Sequence, residues 1–374
     1  MGPGTGAVAD ERPTLAPDES RSVASQAAGW LAGTQLGPDG ALLDPAGRPD
    51  AASTAWAVLA LKASGLDAES DAPTRWLEAN VEALAQQDGV DTPAGLALLI
   101  LVARAQELPA EAFGGQDLVT RLEATRRPDG LYGPEASPPG SVDPAGGAPA
   151  RQGLVLAALG AAGRTDAGAA DWLEVRQCPD GGWQFRRTDP ASTCVATPET
   201  TGFAMLGLVA VGRDVPRSAV RALSRLQRPD GGFSLFGGNS DAYATAIAVQ
   251  GLVAVGVDPN TDRWRKGGGV TPFGSLLTFS ATESGGYALA PDLPPDAGLT
   301  ARVAIAAAGQ PLPLAAPLAE PDGEQSDDGP SEPEPAGTTT GSDGFSPVPL
   351  LTVGAGALVV VAGVYVWRRR RQAI

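Results

Sequence analysis

The chain has 374 residues, 27 Lys and Arg against 43 Asp and Glu, a net charge of −16 and no histidine. Such acidity, without a basic patch in the part expected to fold, argues against nucleic acid as a partner, because phosphate binding rests on clustered Lys and Arg. The missing histidine removes the commonest general base and a common zinc ligand, so Ser-His and Cys-His couples fail and no metal or cofactor is expected.

In chain order, residues 1–20 are Gly, Pro, Ala and acids without an apolar run, and read as a flexible leader, not a signal peptide. Beyond them one motif recurs. Gln177-Cys178-Pro179-Asp180-Gly181-Gly182-Trp183 is repeated almost residue for residue by Gln227-Arg228-Pro229-Asp230-Gly231-Gly232-Phe233, and more loosely at 35–40, 87–89, 126–132 and 283–287. The acids of these copies, Asp39, Asp88, Asp129, Asp180, Asp230 and Glu283, follow one another at intervals of 41 to 53 residues. That period marks an array of supersecondary units, and it argues for one large closed domain where the length would allow two.

Before each copy, apolar residues fall at helical spacing, as with Trp172, Leu173 and Val175 or Val220, Leu223 and Leu226. Pro-Asp-Gly then stops the helix, since proline lacks the donor and glycine supplies the positive φ of a tight turn. A second helix opens on an acid: Asp50, Asp241 and Asp296 each lead an Asp-x-x-x-Thr-Ala run, and Asp91 and Glu199 hold the same place in two further units. All five are expected helix caps. The third unit enters through Pro149, Ala150 and Arg151 without an acid. The helices that follow, at 55–63, 94–102, 153–161, 202–211, 246–255 and 301–308, are apolar on nearly every face, which makes them inner helices. Those before the motif carry Arg75, Glu78, Arg121, Glu123, Arg221 and Arg225, which makes them outer ones.

Six outer and inner pairs imply an all-α fold, an (α/α)6 toroid spanning 21–313. In the motif, Gln177, Asp180, Gly181, Trp183, Gln227, Asp230, Gly231 and Phe233 are read as structural: glutamine and acid tie a helix end to its neighbour, while Trp183, Phe233 or Tyr132 covers the turn. Cys178 and Cys194 flank one loop and look like a disulfide, with two free thiols as the alternative; by the loop-entropy model a bridge would contribute roughly 3 kcal/mol and imply an oxidising compartment.

Gln-x-x-Asp-Gly-Gly-Trp resembles the QW repeat of the terpenoid cyclase and protein prenyltransferase superfamily. That resemblance places the reactive rim where the inner helices begin, around Asp50, Asp91, Gln152, Glu199, Asp241 and Asp296. It also calls for Asp-x-Asp-Asp, where this chain has Asp241-Ala242-Tyr243-Ala244, a single acid read as solvated and too weak to protonate an alkene. Only Trp56, Phe203 and Tyr243 offer aromatic faces on the inner helices, and the zinc site of a prenyltransferase lacks its histidine. No catalytic residue is assigned. Trp56, Gln152, Phe203, Tyr243 and Arg302 break the small-aliphatic pattern at the inner-helix starts, and are the candidate contacts for a hydrophobic small molecule or a partner. Residues 304–313 are similar to the close of the repeat domain in bacterial corrinoid carriers of the transcobalamin kind, which makes a corrinoid-like ligand conceivable. A glycan hydrolase or lyase, with two of Asp50, Asp241 and Asp296 across a cleft, is the enzymatic alternative, beside a degenerate cyclase.

Residues 314–346 turn to Pro, Gly, Ser, Thr and acids without Lys or Arg, the composition of an extended, disordered stalk. A transmembrane helix is expected at 347–367, where 350–367 hold no charge, followed at 368–374 by a tail with Arg368, Arg369, Arg370 and Arg371. Those arginines place the tail in the cytoplasm and the toroid outside a plasma membrane. The layout resembles a sortase-anchored surface protein, without its Leu-Pro-x-Thr-Gly. Export needs a signal that residues 1–20 do not supply, and it is expected upstream or already removed.

Overall fold

The computed structural model describes residues 17–134, 147–185, 193–235 and 237–314. Six inner helices form its centre: α2 (Ala51–Ala63), α5 (Pro93–Ala105), α7 (Ala148–Ala161), α9 (Pro198–Ala210), α11 (Ala242–Ala254) and α13 (Ala297–Ala308). Each packs on the next, and α13 returns to α2, so the ring is closed. The sequence dictates this position. Every residue of α5 except Arg104 is buried, and a helix apolar all round is stable only with neighbours on every side.

Outer helices sheathe the ring: α3 (Asp67–Ala79) lies on α2, α6 (Leu118–Ala124) on α5, α8 (Ala167–Glu174) on α7, α10 (Arg217–Leu226) on α9 and α12 (Pro272–Leu277) on α11. The sixth outer position, on α13, is filled from the other end of the chain by α1 (Pro17–Trp30). Residues 17–20, expected in the leader, therefore belong to the ring's closing helix. A short helix α4 (Glu82–Ala85) and a two-stranded hairpin, β1 (Gln86–Gln87) and β2 (Val90–Asp91), stand in the second unit, where the motif is truncated.

The motif's glycine follows from close approach. Gly181 has φ +92°, and a Cβ there would meet the carbonyl of Ser218 on the next outer helix at 2.5 Å. Its sixth counterpart, Gly285, stands in the same way against Gln26 of α1, so the closure of the ring uses the same turn as its other joints. Glutamine behaves as expected: Gln227 Nε2 donates to the carbonyls of Gly231 and Trp264 at 2.9 and 2.6 Å, bridging two units. The acid does so only in part. Asp180 Oδ1 accepts from Gly182 N at 3.1 Å, closing its own turn, whereas Asp230 Oδ1 accepts both from Gly232 N at 3.2 Å and from Ser240 Oγ at 2.6 Å, next to the start of α11. In the sixth copy Thr282 Oγ1, not Glu283, accepts from Gly286 N at 2.8 Å. Trp183, Phe233 and Tyr132 are buried over their turns, and Trp183 Nε1 donates to Leu173 O at 2.8 Å.

Cys178 and Cys194 form a disulfide with Cα atoms 5.4 Å apart. No helix among the described residues is long and apolar enough to cross a membrane. The stalk, the transmembrane segment and the basic tail expected at 314–374 lie outside the described residues from 315 onward.

Candidate functional site at the ring mouth

The rim is built by the N-termini of the inner helices. Asp50, Asp241 and Asp296 cap them as expected, accepting from Ser53, Ala244 and Leu299 N at 3.0, 2.8 and 2.8 Å. Asp91 is not a cap. Thr92 holds that place without capping the helix through its side chain, and Asp91 pairs with Arg121 at 2.6 Å, which lowers its pKa. Glu199 is not a cap either, because Pro198 starts the helix and makes Thr197 the N-cap residue. Its side chain is turned inward, 3% exposed, with Oε1 accepting from the hydroxyls of Thr197 and Thr200 at 2.8 and 3.2 Å and Oε2 buried without a partner.

Burial pushes the Glu199 carboxyl up to about 7 against the pull of the threonine hydroxyls, and the neighbouring Asp241 charge adds to the rise. Asp241 is itself pushed up to about 6 by desolvation. The expectation of a lone, solvated Asp241 is therefore corrected: two acids on adjacent inner helices sit in a poorly hydrated corner, and Glu199 titrates close to neutrality.

Across the rim, Arg302 of α13 lies over the ring of Trp56 on α2 at 4.3 Å from the centroid and over Tyr243 of α11 at 5.3 Å. Three inner helices thus meet around one guanidinium. Its Nη1 donates to Gly298 O at 2.7 Å, while Nε is buried without a partner. Desolvation lowers its pKa, opposed by Tyr243, Asp296 and Asp50. Trp56 is fully buried, whereas Tyr243 and Arg302 are half-buried.

Of the five candidate contacts, the structure brings Trp56, Tyr243 and Arg302 together. Gln152 serves the fold: Oε1 accepts from Tyr132 N at 3.0 Å and Nε2 donates to the carbonyls of Gly130 and Ala169 at 2.9 and 3.1 Å. Phe203 is buried at 0% exposure in the wall of α9. Residues missed in the sequence are the threonines of Asp-x-x-x-Thr. Thr54, Thr245 and Thr300 accept from Leu42, Phe233 and Tyr287 N at 2.9 Å, and Thr201 accepts from Trp183 N at 3.0 Å. Each pins a motif turn to the start of the following inner helix, the role that Gln152 takes in the third unit. A separate cleft of about 440 Å³ lies where α11 and α13 end, lined by Val253, Val257, Phe273 and Ala307 with Arg21 and Asp258 at its edge.

A closed ring of inner helices, sheathed by outer ones and jointed by Gly-aromatic turns, is the α/α toroid of the terpenoid cyclase kind. Solved structures share it. The free type II terpene cyclase MstE from Scytonema superposes with a TM-score of 0.55 at 16% identity, covering 77% of this chain and 98% of that one. A protein from Actinoplanes matches with a TM-score of 0.53, 17% identity, and coverage of 78% and 98%. A possible member of the GH105 family from Salmonella enterica matches at 0.52 and 13%, covering 83% and 98%. At such identities the likeness is one of fold. No sequence-family profile matches the chain, and no curated protein does.

Proposed function

We propose that the chain is a membrane-tethered toroid that binds an apolar small molecule at the mouth of its ring and performs no chemistry on it. The observation that carries this is the position of Arg302. A cyclase stabilises carbocations on aromatic faces, and here the faces of Trp56 and Tyr243 already hold a guanidinium, whose charge would repel a second cation. The same side chain is suited to holding a ligand. Glycan hydrolysis needs two carboxylates free to face a substrate, whereas Asp50, Asp241 and Asp296 are engaged with the amides of their own helices.

Tethering rests on the sequence alone: the uncharged residues 350–367, the four arginines after them and the acidic stalk before them. The toroid then faces outward from the plasma membrane. A protease added to intact cells digests it; a toroid digested only after lysis contradicts that topology. A corrinoid-like cargo fits the resemblance of residues 304–313, but this chain offers cobalt no imidazole.

A second reading, a degenerate cyclase, is favoured by Glu199, a buried acid that titrates close to neutrality with one oxygen unpartnered. Native mass spectrometry of the full chain separates the two. A co-purified small molecule of intact mass supports binding, and turnover of an isoprenoid that Glu199→Gln abolishes supports the cyclase.

A further inference from the structure

The inner helices repeat closely enough for their layers to be compared position by position. Six residues after the N-cap stand Trp56, Leu98, Phe203 and Ile247, with Leu154 in α7 when that helix is registered on Gln152; α13 has Arg302 there. Nine residues after the N-cap stand Leu59, Leu101, Leu206 and Ile305, with Ala157 in α7; α11 has Gln250 there. The apolar members of both layers are buried. Since five units build each layer from apolar side chains, ring packing requires neither the guanidinium nor the amide.

The two departures adjoin. Gln250 Nε2 donates to the Arg302 carbonyl at 3.3 Å, and Arg302 covers Trp56. Three polar atoms of this cluster are buried with no partner: the donors Trp56 Nε1 and Arg302 Nε, and the acceptor Gln250 Oε1. No carboxylate lies at ion-pair distance from Arg302 among the described residues, although Asp50 and Asp296 are near enough to influence its charge. A buried polar atom without a partner is costly, and a fold with an apolar alternative at both positions has no reason to keep three of them unless something else pairs with them.

We propose that Arg302, Trp56 and Gln250 form a subsite for the carboxylate of an otherwise apolar small molecule. The Nε–H of Arg302 and the Nε1–H of Trp56 donate to the carboxylate, the guanidinium supplies the opposite charge, and Gln250 Oε1 accepts from a hydroxyl or amide of the same ligand. Tyr243, half-buried, has its ring centroid 5.3 Å from the same guanidinium. This assignment rests on the binding function proposed above and names the class of molecule bound.

The test uses the full chain with 4-phenylbutyrate and its neutral amide, compared by titration and ligand-observed NMR. The wild type binds the acid about tenfold or more tightly than the amide, as a charge-assisted contact requires. Arg302→Leu, which installs the residue type of the other layers, abolishes that preference while the thermal midpoint holds or rises. Gln250→Leu also leaves the midpoint unchanged or raised, and weakens binding of a hydroxylated analogue of the acid. Equal affinity of the wild type for acid and amide overturns the carboxylate subsite and leaves the binding function standing; failure of both probes to bind removes both. A lowered midpoint in both leucine variants, with the preference for the acid retained, assigns Arg302 and Gln250 to the fold and likewise overturns the proposal.

Discussion

The backbone N–H of Trp183 donates to the hydroxyl of Thr201 at 3.0 Å, joining a motif turn to the first turn of α9 eighteen residues later. Thr201 is fully buried and its hydroxyl also donates to Thr197 O at 2.7 Å, so the side chain holds both ends of the joint. Thr201→Val keeps the shape and orphans the buried amide of Trp183. The expected cost is about 1 to 3 kcal/mol, measured by denaturant unfolding of the full chain. An unchanged unfolding midpoint would show that the joint does not depend on this bond.

Five of the six inner helices end on a left-handed residue whose successor bonds back into the last turn. Leu66, Arg164, Arg213 and Val257 N donate to Leu61, Leu159, Leu208 and Leu252 O at 2.8 to 2.9 Å, each following a glycine. After α5 the same bond, Leu108 N to Ala103 O at 2.8 Å, follows Glu107 at φ +57°. A side chain in that conformation costs about 1 kcal/mol or more. Glu107→Gly should therefore stabilise the chain despite the flexibility it adds to the unfolded state, and a raised thermal midpoint is the check.

Acid should stabilise the toroid. The folded-state pKa of Glu199 is about 7 and that of Asp241 about 6, both above their ordinary values. The folded chain therefore binds these protons more tightly than the unfolded one, and the stability they contribute is full below about pH 4 and is lost as pH rises through 6 to 7. Asp44, Asp91, Asp117, Asp129 and Asp166, held low by ion pairs or hydrogen bonds, have the opposite dependence, but their lowered pKa values confine that loss to more acidic solution. The thermal midpoint is expected to fall between pH 5 and pH 8, and Glu199→Gln, neutral at both, to flatten the fall and raise the midpoint at pH 8.

Much of this architecture was legible because the repeat announces itself. A fifty-residue period with alternating charged and apolar helices leaves few arrangements other than a ring, and the aspartates before Ala51, Ala242 and Ala297 cap their helices as their position implies. Glu199 misled because an acid near a helix start looks like a cap until Pro198 is recognised as the first helical residue. Asp91 misled because its partner, Arg121, lies thirty residues away on an outer helix. Gln152 stood out by breaking the apolar pattern, yet the same property suits it to replace a threonine in pinning a turn. Arg302 and Trp56 belong to the last and first inner helices, and only closure of the ring brings them together.

The central claim is that the ring mouth around Arg302 holds a small molecule. Native mass spectrometry of the full chain, wild type beside Arg302→Leu, tests it most directly. The account predicts a bound species on the wild type that is depleted on a variant of equal thermal midpoint. The same occupancy on both chains, or an empty wild type that turns over an isoprenoid, would contradict it.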